Sequence, residues 1–277
     1  MSEWPIPDAT QLRRVGRGAS ADVLLLDPAR VVKLLHPGLP RAVAEREIEA
    51  ARVAFAARLA VPEPLALVEA GERHGIVFER LIEHPAARRL RRLPGPVMAT
   101  LAAMARVQAQ AHRVVVARQA LPDARVLLGA RIADSLAPAA AREVAERRLA
   151  ALPDGDRLLH GDLHLGNVIA ARGRTMAVDW AQAMRGDPAA DAARTDLLLR
   201  FGRYGGALAR HPLLRVSRHA AAAWYLLCYR QITGLSATAI DRWRLPVAVA
   251  WWRADSAAHL PSLGLFVDRQ MARDQLR

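Results

Sequence analysis

Leu158-Leu159-His160-Gly161-Asp162-Leu163-His164-Leu165-Gly166-Asn167-Val168-Ile169, followed by Met176-Ala177-Val178-Asp179-Trp180, is the stretch on which the reading of the chain turns. Two short apolar runs flank a polar loop carrying Asp162, His164 and Asn167, and the second run ends on Asp179. The layout predicts strand, loop, strand and turn, with carboxylates presented where the strands stop. Phosphoryl transfer from a nucleotide needs a group that orients the attacking hydroxyl. It also needs oxygen ligands for magnesium, commonly an Asp and an Asn amide, and a small residue where the backbone passes close. Asp162, Asp179, Asn167 and Gly161 are residues of those types. The competing reading is an ordinary polar β-hairpin with incidental carboxylates. His160-Gly161 before the Asp, His164 within the loop and Asp179 after it weigh against that reading.

Upstream, residues 10–35 read as strand, turn and strand, with a third strand at Arg30-Val31-Val32-Lys33-Leu34-Leu35. In the first turn Gly16 and Gly18 let the backbone approach phosphate oxygens, and Ser20 offers a hydroxyl donor. Lys33 is the only lysine among 40 Lys and Arg residues. Where a generic cation suffices this chain uses Arg, so position 33 calls for a compact ammonium on a flexible stem. Pro40 to Leu59 predicts a helix with Val43, Glu47, Ile48, Ala51, Phe55 and Leu59 on its apolar stripe. Val61-Pro62-Glu63-Pro64 breaks it. Two strands come next, 65–69 and 75–81, and after Pro85 the character is helical. Val97 to His112 is one helix, with His112 a core or capping histidine. Ala130 to Leu152 suggests another, interrupted near Pro138. Asp187 and Pro188 open a further helix, and residues 200–277 are helical and Trp-rich.

The chain has 277 residues, 52% of them apolar, and a formal net charge of +13. This excludes a disordered chain and leaves room for one large domain or two small lobes. Apart from Arg88-Arg89-Leu90-Arg91-Arg92 the arginines are scattered, and no nucleic-acid motif accompanies them. The charge is read as a solvated basic surface, with neither nucleic acid nor membrane as partner. The lone Cys228 and an N-terminus without a basic start or apolar signal core predict a cytoplasmic protein.

His160-Gly161-Asp162-Leu163-His164-Leu165-Gly166-Asn167 resembles the HGDxHxxN signature of the aminoglycoside phosphotransferase and choline kinase superfamily, and the match extends from Gly16 to about Arg194. The resemblance implies an α+β, two-lobed, protein-kinase-like fold. Residues 1–82 would form a small β-rich lobe with the hinge, and 83–277 a larger, mostly helical catalytic and acceptor-binding lobe. It implies ATP and Mg²⁺ as cofactors and a small-molecule hydroxyl as acceptor. Asp162 would be the catalytic base, and Asn167 and Asp179 the metal ligands. Gly16, Gly18 and Ser20 would cover the nucleotide, Lys33 would contact its phosphates, and Glu79 and Leu81 would flank the adenine at the hinge Glu79–Ile82. The first helix would supply a Glu to brace Lys33. Of Glu45, Glu47 and Glu49, Glu47 lies beside the apolar stripe and is chosen. Asp191, in Gly186-Asp187-Pro188-Ala189-Ala190-Asp191, would bond the backbone of the catalytic loop. His160 and His164 would shape that loop. Leu165 stands where the family often has Pro, and Trp180-Ala181 follows the metal Asp in place of Phe-Gly.

A protein kinase would need an activation loop, for which the segment from Asp179 to Gly186 leaves no room. A non-catalytic nucleotide-binding module on the same fold is the other alternative, opposed by retention of all five polar positions. Leu197 to Ile240 holds no Asp or Glu but does hold Arg200, Arg203, Arg210, Arg215, Arg218 and Arg230, with Asp241 and Asp255 beyond. A polycationic aminoglycoside would need a ring of carboxylates. The expected acceptor is therefore neutral, anionic or singly cationic, with Trp224, Tyr225 and Tyr229 an apolar or cation–π surface if they face the cleft and core side chains if they do not.

Overall fold

The computed structural model describes residues 6, 9–82, 94–202, 212–253 and 260–275. Arg88–Arg92, Arg203, Arg210 and Asp255 lie outside them, as does the side chain of Arg215. The fold is α+β, a small β-rich lobe followed by a larger helical one.

The small lobe is an antiparallel sheet of β1 (Arg14–Arg17), β2 (Ala21–Leu25), β3 (Arg30–Leu35), β4 (Pro64–Ala70) and β5 (Arg73–Glu79), in the order β1-β2-β3-β5-β4. Side chains alternate between the two faces of a strand. Val32 and Leu34 of β3 therefore pack with Leu24, Val68 and Val77 on one face. Leu35, with Val31, turns to the other, against Ala44, Ile48 and Ala51 of α1 (Arg41–Ala56). Lys33 shares that second face, so the period-2 pattern alone aims its ammonium at the helix. The helix ends at Ala56, and Phe55, expected on the apolar stripe, is 42% exposed. The buried stripe instead runs through Ala44, Glu47, Ile48 and Ala51, while Ala50 and Ala54 join the core of the large lobe.

In the large lobe α2 is Pro94–Ala111, and the predicted helix from Ala130 to Leu152 is two: α3 (Ala124–Ala133) and α4 (Ala139–Ala150). Asp123 caps the first, accepting from Arg125 N and Val126 N, and Pro138 stands at the start of the second. Short strands β6 (Arg157–Leu159), β7 (Val168–Ala171), β8 (Arg174–Ala177) and β9 (Met184–Gly186) form two ladders, β6-β9 and β7-β8. They hold the polar loop between them. Beyond lie α5 (Pro188–Phe201), α6 (Pro212–Thr233), α7 (Ala237–Ala250) and α8 (Leu260–Gln275). Asp187 caps α5 on Ala189 N at 2.7 Å, with Pro188 in its first turn. No helix among the described residues is long and apolar enough to cross a membrane.

The lobes meet where the site lies. Ala177 N donates to Ala60 O at 2.8 Å. Leu81 and Ile169 pack on Ala60, Ala171 and Met176, and Arg172 on the β7-β8 turn pairs with Glu79.

Candidate active site

Lys33 Nζ donates to Glu47 Oε1 at 2.6 Å and to Asp179 Oδ1 at 2.8 Å, so one ammonium joins sheet, helix and large lobe. Glu45 and Glu49 pair instead with exposed arginines, Arg41 and Arg52. Burial opposes the Lys33 charge, but the carboxylates of Glu47 and Asp179 outweigh it and raise its pKa. The two carboxylates respond differently. Glu47 is 1% exposed, and burial raises its pKa despite Lys33. The Asp179 side chain is 42% exposed; burial acts on it too, but Lys33 prevails and lowers its pKa. Glu47 Oε2 is buried with no hydrogen-bond partner among the described residues.

Asp179 does not end a strand as expected. β8 stops at Ala177, and Asp179 follows with φ +66, in the left-handed region that non-glycine residues seldom occupy. That turn points its carboxylate back towards Lys33. Strained backbone of this kind is concentrated at functional sites. Gly161 has φ +76, and a Cβ there would stand 2.1 Å from Gln182 O, so only glycine fits. Gly16 and Gly18 are different. A Cβ would meet Val23 Cβ at 3.4 Å or Ala21 O at 3.5 Å, which are ordinary contacts. The fold itself does not require glycine there. Gly18 N–H also closes the turn on Ala21 O at 2.8 Å and is not free for a ligand.

Around Asp162 the loop is held on three sides. Asn167 Nδ2 donates to Asp162 O at 2.9 Å, which turns Asn167 Oδ1 the other way. His160 is buried, its Nδ1 accepting from Asp162 N at 3.3 Å while Nε2 lies 3.2 Å from Val178 O. Burial lowers its pKa, which favours a neutral ring that donates through Nε2. His164 Nδ1 caps the 3-10 turn Leu165–Asn167 by accepting from Gly166 N. Beneath the loop, the buried Asp191 carboxylate takes four donors. They are His160 N at 2.9 Å, Gly161 N at 2.8 Å, Gln108 Nε2 at 2.8 Å and His112 Nε2 at 3.0 Å. Burial works against its charge, yet the His112 and Gln108 donors bring its pKa down to about 2.

At the hinge, Glu79 N and Arg80 N are already spent on Glu63 O and Ala29 O. Leu81 N–H makes no backbone hydrogen bond among the described residues. Tyr225 and Tyr229 do not face the cleft. They are fully buried, and their hydroxyls donate to Gln108 Oε1 and His112 Nδ1. Trp224 is half-buried, with its Nε1 donating to Met98 O. The arginines assigned to the acceptor wall are also engaged elsewhere: Arg200 on Asp196 and His219, Arg218 on Leu199 O and Gly202 O, Arg230 on Leu235 O.

A family model described as the phosphotransferase enzyme family matches residues 11–225. The chain belongs to that family. Solved structures agree at the level of the phosphotransferase fold. One is a thermostable mutant of aminoglycoside phosphotransferase APH(4)-Ia in ternary complex with AMP-PNP and hygromycin B. It is 16% identical, covers 94% of each chain and has a TM-score of 0.63. Amicoumacin kinase hAmiN in complex with AMP-PNP, Ca²⁺ and Ami has a TM-score of 0.59 at 15% identity, over 94% of this chain and 89% of that one. Aminoglycoside phosphotransferase APH(3'')-Id from Streptomyces rimosus, with ADP and streptomycin, has a TM-score of 0.56 at 19% identity, over 89% and 94%. No curated protein matches the chain.

One contact in this cluster carried no sequence signal of its own. Arg194 of α5, one of many arginines, donates Nε to Gly161 O at 3.3 Å and Nη2 to Asp162 Oδ1 at 3.4 Å.

Proposed function

We propose that this chain is an ATP-dependent small-molecule kinase that moves the γ-phosphoryl group to an acceptor hydroxyl with magnesium assistance. The observation that carries the reading is Lys33, bonded to both Glu47 and Asp179 across the cleft that the Asp162–Asn167 loop faces. Glu47 braces Lys33, and Lys33 holds the nucleotide phosphates. Asn167 Oδ1 and Asp179 suit magnesium, a hard cation that is commonly bound by one or two carboxylates plus substrate phosphates. Bound there, magnesium would neutralise charge on those phosphates. The turn from Gly16 to Ser20 covers them, its glycines leaving space for the approach. Leu81, with the backbone at Glu79, flanks the adenine.

Asp162 accepts the proton of the acceptor hydroxyl. As that oxygen bonds to phosphorus, the bond to the departing diphosphate breaks and ADP leaves with the electron pair. Asp191 and His160 keep the loop in the geometry this needs. In this reading residues 1–82 cover the nucleotide, residues 83–277 carry the chemistry, and the reaction is cytoplasmic. The test is ADP formation from ATP and magnesium across a library of hydroxyl acceptors, comparing the wild type with Asp162→Ala. Acceptor-dependent turnover lost in the variant supports the reading. Turnover that survives Asp162→Ala, or a wild type with no affinity for Mg-ATP by calorimetry, would overturn it.

A further inference from the structure

Asp162 stands among cations that the proposed chemistry leaves unused. Arg194 touches its Oδ1 and its guanidinium carbon stands over Trp251, 4.4 Å from the ring centroid. The Nη1 of Arg194 is buried with no hydrogen-bond partner among the described residues. Arg131, in the last turn of α3, donates Nη2 to Gln182 Oε1 at 2.6 Å. Gln182 is the residue whose carbonyl backs onto Gly161. Arg253 follows Trp251 by two residues, and Arg46 adjoins Glu47 on α1. Burial, then the charges of Arg194, Arg253 and Arg46, lower the pKa of Arg131 to about 10. The carboxylate acting in the opposite sense is Asp162. Among the described residues, Arg131, Arg253 and Arg46 make no ion pair, and Arg194 pairs with Asp162.

Like charges held near one another, Arg131 and Arg194 partly out of water, repel unless an anion joins them. Asp162 is one carboxylate against several guanidiniums, and of these it pairs with Arg194 alone. We propose that Arg131, Arg194 and Arg253 form an anion receptor on the acceptor side of Asp162. The acceptor is then a hydroxyl-bearing small molecule that also carries a carboxylate or a phosphate. The inference rests on Asp162 being the base of a phosphotransferase site. It adds the acceptor's charge and the groups that read it. A guanidinium fork suits either oxyanion. A polycation brought to the same place would meet like charge.

The test uses the full chain saturated with Mg-AMP-PNP for calorimetry and supplied with Mg-ATP for turnover. The probes are D-glycerate and gluconate for carboxylates, glycerol 3-phosphate and ribose 5-phosphate for phosphates, glycerol and ribose as neutral counterparts, and kanamycin as a polycation. At least one anionic probe should bind or react about ten-fold better than its neutral counterpart. Arg131→Gln and Arg253→Gln, neither of which touches Asp162, should each weaken that probe by roughly ten-fold or more while the nucleotide affinity holds. The preferred pair separates carboxylate from phosphate. The receptor is overturned if no anionic probe binds or reacts, if neutral or polycationic probes match the anionic ones, if both variants bind like wild type, or if they weaken AMP-PNP instead. Turnover of a neutral or polycationic acceptor would sink the receptor and leave the kinase standing. Arginine-dependent anion binding without any Asp162-dependent transfer would do the reverse.

Discussion

Gly161 shows how narrowly a single position is determined. Its φ of +76 and the carbonyl of Gln182 leave no space for a Cβ. Gly161→Ala should cost about 1–3 kcal/mol through backbone strain, read as a lower denaturation midpoint. It should also displace Asp162 and depress kcat more than the nucleotide KM. A small residue is expected here from the sequence; the carbonyl it must clear is not, because Gln182 arrives from beyond β8. Asp162→Asn keeps the side chain's shape and removes the proton acceptor. Transfer should fall by roughly two to four orders of magnitude while Mg-ATP binding by calorimetry stays near wild type. Near-normal turnover would refute the assignment. Lys33→Arg replaces an ammonium that fits between Glu47 and Asp179 with a planar fork. A several-fold rise in nucleotide KM or fall in kcat is expected. Wild-type kinetics would make the lone lysine a compositional accident.

At the scale of elements, α5 is the base on which the Asp162–Asn167 loop rests. The capping signal Asp187-Pro188 is readable because capping is local. Asp191, one turn in, is assigned to the loop backbone by resemblance, and the structure adds Gln108, His112 and, through them, Tyr225 and Tyr229 of α6. The sequence leaves open whether the two tyrosines face cleft or core, because the pattern of α6 marks a face without saying what covers it. This network predicts a pH dependence. The folded-state pKa of Asp191, about 2, lies below the ordinary 3.8. Its stabilisation is therefore complete above pH 4 and is lost as pH falls towards 2. Fully buried, the group should contribute about 2 kcal/mol. In urea melts, Asp191→Asn should lower stability at pH 6 and flatten the slope between pH 4 and 2. An unchanged acid limb would show that other carboxylates control it. Helix α3 illustrates a boundary error of the same origin. Asp123 starts it earlier than the apolar pattern suggests, and Pro138 sets off α4 as a separate helix.

For the whole molecule, the site is shared between lobes, so the nucleotide should stabilise both together. Mg-ATP at about a hundred times its Kd adds roughly 2.7 kcal/mol, or on the order of 5–10 °C in Tm for a chain of this size. A single transition should move by that amount, and Asp179→Ala should lose most of the shift at the same ligand concentration. Two transitions, only one of them moving, would mean that the lobes unfold independently. The two-lobed α+β class came from the resemblance, while the sequence by itself determined strands first and helices after, the strand that carries Lys33, and the loop that carries Asp162 and Asn167. These depend on alternation, helical period and short-range spacing, which act between near neighbours in the chain. Which arginine meets Asp162 was decided only by the tertiary structure. Arg131, Arg194 and Arg253 resemble the rest of the basic residues when read along the chain, and Arg200, Arg218 and Arg230 stand in the stretch assigned to the acceptor. Electrostatic neighbourhood depends on where distant segments cross, and here α3, α5 and the end of α7 converge on one loop.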